Sequence, residues 1–327
     1  MRLINTITGE LKEFFEISAP RYAILSHTWG DEEGSFQDMT DRPASLTSKA
    51  GYLKIVGTCR VALEEGYEWA WVDSCCIDKS SSAELTESIN SMYRWYQRAD
   101  VCYVFLSDFT NGDFGGISRC RWFTRGWTLQ ELIAPRNVVF FDKDWNRIGT
   151  KDDMVEYISI ITGISSAILN HKPFPSLKDL AVAERMSWAA NHTTTRPEDR
   201  AYSLVGIFDV NMPLIYGEGD KAFERLQEEI IRRTGDLSIF AWEFDPHTEV
   251  RRVSRPLPIF ASSPADFAFL RKRFVSWSFD RTPWDATTEV NITAHGIRLN
   301  SAGRLFVLPS QDSQVSSAIK SKKPREC

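Results

Sequence analysis

The sequence predicts an α/β fold whose core is a parallel sheet covered by helices. Two observations carry this. Short, almost wholly apolar runs recur at YAILSH (22–27), EWAWVD (68–73), VCYVFL (101–106) and NVVFFD (137–142). Stretches with helical periodicity separate them, and strand and helix alternating in this rhythm imply a parallel sheet buried on both faces. A third observation sets the core's limits. From 151 to 235 the chain reads as helical, and after 236 it changes again to alternating strands.

YAILSH is a buried strand with a polar exit. The next segment, roughly 46–65, reads as a helix with Leu53, Val56 (or Ile55), Cys59 and Leu63 as its apolar stripe. EWAWVD is a buried strand ending in Asp73. The helix after it is the best defined: Ser81-x-x-Glu84 has the capping-box pattern, and Leu85, Ile89, Met92, Tyr93 and Tyr96 follow at helical spacing. VCYVFL is a further buried strand. RGWTLQELIAP (125–135) reads as a helix with Leu129, Leu132 and Ile133 on its apolar face. Trp127 and Glu131, four apart, share a different face. Glu is rarely buried, so chemistry alone predicts Glu131 at the surface.

In the helical part, Thr195-x-x-Glu198 with Pro197 marks one helix start. KAFERLQEEIIRRTG (221–235) is amphipathic through Phe223, Leu226 and Ile230, with Gly235 at its end. EVNIT (289–293), GIRLN (296–300) and RLFVL (304–308) alternate in period two and predict hairpin strands in a β-rich extension over 236–310. The polar stretch 311–327 is expected to be a disordered tail.

Composition narrows the function classes. Hydrophobic residues make up 43% and charged residues 25%, as in a globular protein with a sizeable core. A net charge of −5 lacks the basic footprint of a nucleic-acid binder. The basic clusters at 271–273 and near the end are short and read as surface. The first residues have no apolar core of signal-peptide type, and no run of about 18 apolar residues predicts a membrane span. The cytoplasm is the expected compartment, and the sequons at Asn191 and Asn291 carry little weight there. Six cysteines without CxxC spacing read as buried, reduced thiols, with no metal site.

Ligands of parallel sheets bind at the carboxyl ends of the strands, where the strand order reverses. That places SHTWGDEE (26–33) and DSCCIDK (73–79) on the functional rim. Cys75 or Cys76 with His27 would make a thiol nucleophile and its base if the two segments meet. Asp73 and Asp78 are too few for a metal and suit capping or loop bonds. Trp29, Trp122 and Trp127 are candidates for stacking on a flat ring, with core packing the commoner use. YGEGDKAF (216–223) holds a loose G-x-G-x-x-A, but it opens no βαβ unit and reads as a turn before a helix. A carboxylate such as Glu131, beside a tryptophan near the mouth of the sheet, suits a raised pKa or the stabilisation of a developing cation.

YAILSHTWG (22–30), EWAWVDSCCIDK (68–79), SINSMYRWYQRADVCYVFLSD (88–108), RWFTRGWTLQELIAP (121–135) and RPEDRAYSLVGIFDVNMPLIYGEGDKAFERLQEEI (196–230) together resemble the fungal heterokaryon-incompatibility (HET) domain. The whole chain is similar to the N-terminal part of vegetative incompatibility proteins. The resemblance implies a HET domain over 1–235, with an α/β core at about 20–150 and a helical part at 151–235. It also implies a distant relationship to TIR domains, and so a TIR-like, flavodoxin-like core. The order of VD (72–73), the helix at 82–98, VCYVFLS (101–107) and GWTLQEL (126–132) matches the TIR order, with Thr128 where that family has Cys. By that resemblance Glu131 is the catalytic residue of an NAD glycohydrolase needing no metal or cofactor. Ser26, His27, Trp29, Asp73, Cys76 and Trp127 would bind the substrate. The resemblance further implies cell death on fusion of unlike strains, self-association, and other incompatibility proteins as partners. Its non-enzymatic alternative is an oligomerising signalling module.

Overall fold

The computed structural model describes residues 1–110, 114–171, 176–243, 259–271, 289–293 and 296–300. The chain divides into two units, Met1–Arg281 and Thr282–Cys327. In the first, β1 (Arg2–Asn5) and β2 (Leu11–Glu13) form an antiparallel hairpin that the sequence reading did not anticipate. Leu3 and Ile4 are its buried residues. β3 (Ala23–His27) follows, then α1 (Phe36–Asp41) and α2 (Ala50–Glu64). β4 (Trp69–Trp71) runs into the single turn α3 (Asp73–Cys76), so Asp73 opens a helix instead of closing a strand. Next come α4 (Ser82–Arg98), β5 (Val101–Phe105), α5 (Thr128–Ile133), β6 (Val138–Phe141) and β7 (Arg147–Thr150).

These strands build one seven-stranded sheet in the order β2-β1-β4-β3-β5-β6-β7. Its middle is parallel, β4 with β3, β3 with β5 and β5 with β6, while β1 and β7 join antiparallel at the two sides. Along the chain, the four parallel strands lie in the doubly wound order 2-1-3-4, which reverses direction between β3 and β5. All five residues of β3 and all five of β5 are buried, as continuous apolar runs demand of central parallel strands.

α4 brings Trp95 and Tyr96 edge-on against Trp71 of β4, at 5.7 and 5.8 Å between centroids. Ser81 caps it by accepting the Glu84 amide, but the Glu84 carboxylate leaves the box and binds Arg2 of β1 at 2.7 Å. The stripe predicted on α2 is only partly the buried one. Ile55 and Cys59 are buried, whereas Leu53, Val56 and Leu63 are 61%, 45% and 46% exposed. Close approach decides the inner face. A Cβ on Gly57 would stand 2.3 Å from the Trp145 indole, which stacks on Phe105 of β5. A Cβ on Gly51 would stand 2.4 Å from the Glu33 backbone.

The helical part holds α6 (Val155–Thr162), α7 (Ser166–Leu169), α8 (Val182–Trp188), α9 (Asp199–Tyr202) and α10 (Lys221–Thr234). α10 buries Phe223, Leu226 and Ile230 and ends on Gly235 at φ 61°, as its sequence predicts. The expected Thr195–Glu198 capping box does not form. Glu198 is itself the N-cap of α9, and its carboxylate binds the Gly217 and Gly219 amides at 2.7 and 3.0 Å. In the second unit, β8 (Glu289–Thr293) and β9 (Gly296–Asn300) pair antiparallel. The strand expected at 304–308 and the tail at 311–327 lie outside the described residues. Among the described residues, no helix is long and apolar enough to cross a membrane.

Candidate functional site

The general rule for doubly wound sheets puts a ligand site where the strand order reverses, which here is where β3 ends, at Ser26 and His27. Glu131 reaches it from α5. This helix has six residues, all buried, because it is wedged against α4 and β3. Glu131 is only 7% exposed, so the surface position expected from its residue type is not where the fold puts it. Local ties fix the helix at both ends. Thr128 Oγ1 donates to the Trp122 and Arg125 carbonyls at 2.5 and 2.8 Å. Beyond the other end, the buried Lys151 donates to the Leu132 and Pro135 carbonyls at 3.3 and 2.7 Å. Burial pushes the Lys151 ammonium down to about 8. The carbonyls it caps supply the partial negative charge of a helix C-terminus.

Ser26 connects the site. Its Oγ donates to Glu131 Oε2 at 2.5 Å and accepts from Trp122 Nε1 at 2.7 Å. The Tyr96 hydroxyl donates to the Leu25 carbonyl at 2.9 Å. Burial dominates the Glu131 carboxyl and raises it to about 8. The Ser26 hydrogen bond and the Arg125 charge oppose that rise, and the Asp73 charge adds to it. At neutral pH the resting group is therefore a carboxylic acid.

Beside it, His27 lies between two carboxylates, with Nε2 at 3.4 Å from Glu33 Oε2 and Nδ1 at 3.7 Å from Asp73 Oδ1. Burial works against the Glu33 charge, but His27, Lys54 and the Gly30 amide outweigh it and hold the carboxyl at about 2. Lys54 also donates to the Thr28 carbonyl at 3.0 Å. Asp73 Oδ2 accepts from Trp29 Nε1 at 2.7 Å, and the Lys79 ammonium sits 3.5 Å above the Trp29 ring.

Ser26, His27, Trp29, Asp73 and Glu131 thus converge. Cys76 and Trp127 have other partners. Cys76 Sγ accepts the Val72 amide at 3.4 Å, and Cys75 Sγ donates to the Val72 carbonyl at 3.7 Å. Among the described residues, neither thiol hydrogen-bonds His27. The neighbouring Cys76 and burial push the Cys75 thiol well up, opposite to what a reactive thiol needs. The Cys–His pair considered from sequence is not formed. Trp127 is the half-buried N-cap of α5, with Asp199 of the helical part near its indole. The tryptophan joined to Glu131 is Trp122, through Ser26. Sequence reasoning also missed Glu33, Lys54, Tyr96 and Lys151, whose partners are remote along the chain. The one available signal was SHTWGDEE itself, whose last residue is Glu33.

Two features elsewhere are accounted for without a ligand. Gly217 and Gly219 have φ of 103° and 62°, and their amides cradle the chain's own Glu198. The glycine pattern is a turn, as its context predicted. A hollow at the amino ends of the strands, lined by Glu16, Tyr22, Arg98 and Asp100 among others, has its acids paired already. Glu16 pairs with Arg94 and Arg98, and Asp100 with Arg21.

Residues 22–118 match the family model of the heterokaryon incompatibility protein (HET), and residues 221–325 match a domain of unknown function (DUF8212). The chain is 48% identical over 269 residues to the vegetative incompatibility protein HET-E-1 of Podospora anserina. The match covers 77% of this chain and 19% of that protein, so the chain spans about a fifth of its relative's length. No solved structure matches it. The motifs and these matches agree, and the chain belongs to the fungal heterokaryon-incompatibility (HET) family.

Proposed function

We propose that this chain is an effector of heterokaryon incompatibility whose TIR-like core hydrolyses NAD at Glu131. The observation that carries the reading is a buried carboxyl, hydrogen-bonded by Ser26, at the carboxyl ends of the strands where their order reverses. Breaking the nicotinamide–ribose bond builds oxocarbenium charge on the ribose, which a fixed carboxylate stabilises. The resting acid form fits this role. The nicotinamide ring of NAD is a cation, and a cation beside a buried acid favours its ionised form. Binding then converts Glu131 to the carboxylate where it is needed. NAD and other incompatibility proteins are the proposed partners.

The cover over Glu131 supports a second reading, a non-enzymatic module whose core self-associates. The two readings part on one experiment, incubation of purified protein with NAD across a wide range of protein concentration. Nicotinamide release that rises faster than protein concentration supports an enzyme whose site is completed by self-association. Oligomerisation with no NAD loss at any concentration supports the module and overturns the enzyme.

A further inference from the structure

The site holds a second array of charged groups, running from Lys54 through Glu33 and His27 to Asp73. His27 is 7% exposed, and among the described residues its Nε2 and the facing atoms Glu33 Oε2 and Asp73 Oδ1 are buried with no hydrogen-bond partner. The remaining carboxylate oxygens are committed. Glu33 Oε1 takes Lys54 and the Gly30 amide, and Asp73 Oδ2 takes the Trp29 indole. The imidazole therefore turns one nitrogen to each acid. A carboxylate oxygen has two lone-pair sites, so Asp73 Oδ2 can receive a second hydrogen beside the indole N–H. The Asp73 side chain keeps 23% of its surface open to solvent, while its charge is felt at Glu131. Two acids in unlike surroundings, one buried and one partly exposed, are the arrangement that separates acid and base roles.

We propose that Asp73 is the base that deprotonates the attacking water, and that His27, fixed by Glu33 and Lys54, is the positioning residue that aims it. The inference rests on the reading of Glu131 given above. In the reaction, the bond between C1′ and the nicotinamide nitrogen breaks, and its electron pair leaves with neutral nicotinamide. The water oxygen bonds C1′, and its proton passes to Asp73 Oδ2 and on to solvent. NAD and water give ADP-ribose, nicotinamide and one proton, with nothing oxidised or reduced.

An acceptor that has no proton to lose separates the two acids. A pyridine such as 3-acetylpyridine attacks C1′ through its nitrogen lone pair, and that exchange needs no base. The experiment measures ADP-ribose formation and exchange product on the same purified proteins, with melting curves as the folding check. Asp73→Asn is expected to lose hydrolysis by about 10²–10⁴-fold, the usual worth of a positioned base. Exchange, measured at saturating NAD, should fall at least about ten-fold less than hydrolysis does. Asp73→Glu, which keeps a base on a longer arm, should recover part of the hydrolysis, and it also serves if Asp73→Asn does not fold. His27→Gln should lower kcat for hydrolysis several-fold more than it lowers the exchange rate. Glu131→Gln should lose both reactions. Asp73→Asn losing hydrolysis and exchange equally, or neither, overturns the role of Asp73. Retention of both reactions by Glu131→Gln overturns the reading of Glu131 instead. Wild type that performs neither reaction overturns both together.

Discussion

Glu131 shows how burial sets chemistry at the residue scale. Its carboxyl titrates near 8 in the fold against an ordinary value of 4.5, because α5 removes it from water. Between those values the folded chain holds a proton that the unfolded chain has released. Stability therefore falls as pH rises from about 5 to about 8, by on the order of a few kcal/mol. Glu131→Gln, which mimics the neutral acid, should lack that decline, and denaturant unfolding at pH 5, 6.5 and 8 measures the difference. A wild-type curve parallel to the variant's would contradict the assignment. Lys151 makes a second test. Lys151→Met removes the donor from the Leu132 and Pro135 carbonyls, and one buried unpaired acceptor costs about 1–3 kcal/mol. The variant should melt lower and lose activity with it, whereas Lys151→Arg should recover part of both.

At the scale of elements, α2 separates what periodicity tells from what packing decides. Leu53, Val56 and Leu63 point outward because Gly51 and Gly57 let the opposite face lie on the Glu33 backbone and the Trp145 ring. Gly57→Ala should destabilise the fold by about 1–3 kcal/mol through overpacking, measured by urea unfolding. Leu53→Lys, on the exposed face, should change stability by no more than about 0.5 kcal/mol. The reverse ranking would restore the stripe predicted from sequence. The buried strands were legible because a central parallel strand is apolar on both faces, as YAILSH and VCYVFL are. The burial of Glu131 was not, because α5 is wedged between elements distant in sequence and periodicity has no access to that. Lys54 pairs with a carboxylate 21 residues away, and Lys151 caps a carbonyl 19 residues away. No local spacing announces such pairs. The N-terminal hairpin escaped for a related reason, since β2 is three short residues without an apolar pattern.

For the molecule as a whole, the helical part is structurally joined to the site. Gly126 donates to the Thr193 carbonyl at 2.9 Å, the Thr193 amide donates to the Thr124 carbonyl at 2.6 Å, and Arg125 bridges Thr193. The segment just ahead of α5 is therefore clamped by residues that have no TIR counterpart in the sequence resemblance. The apolar runs made the central parallel strands readable in advance, and the fold joins Ser26 to Glu131 by a hydrogen bond. Trp127, named with them in the resemblance, lies in this clamped segment, while Trp122 is the tryptophan that donates to Ser26. The most direct measurement compares nicotinamide release from NAD by wild type and by Glu131→Gln, both purified, folded and at equal high concentration. The proposal predicts release by wild type and a loss of at least about 10²-fold in the variant. Equal rates from both proteins, or no release from wild type, would contradict it.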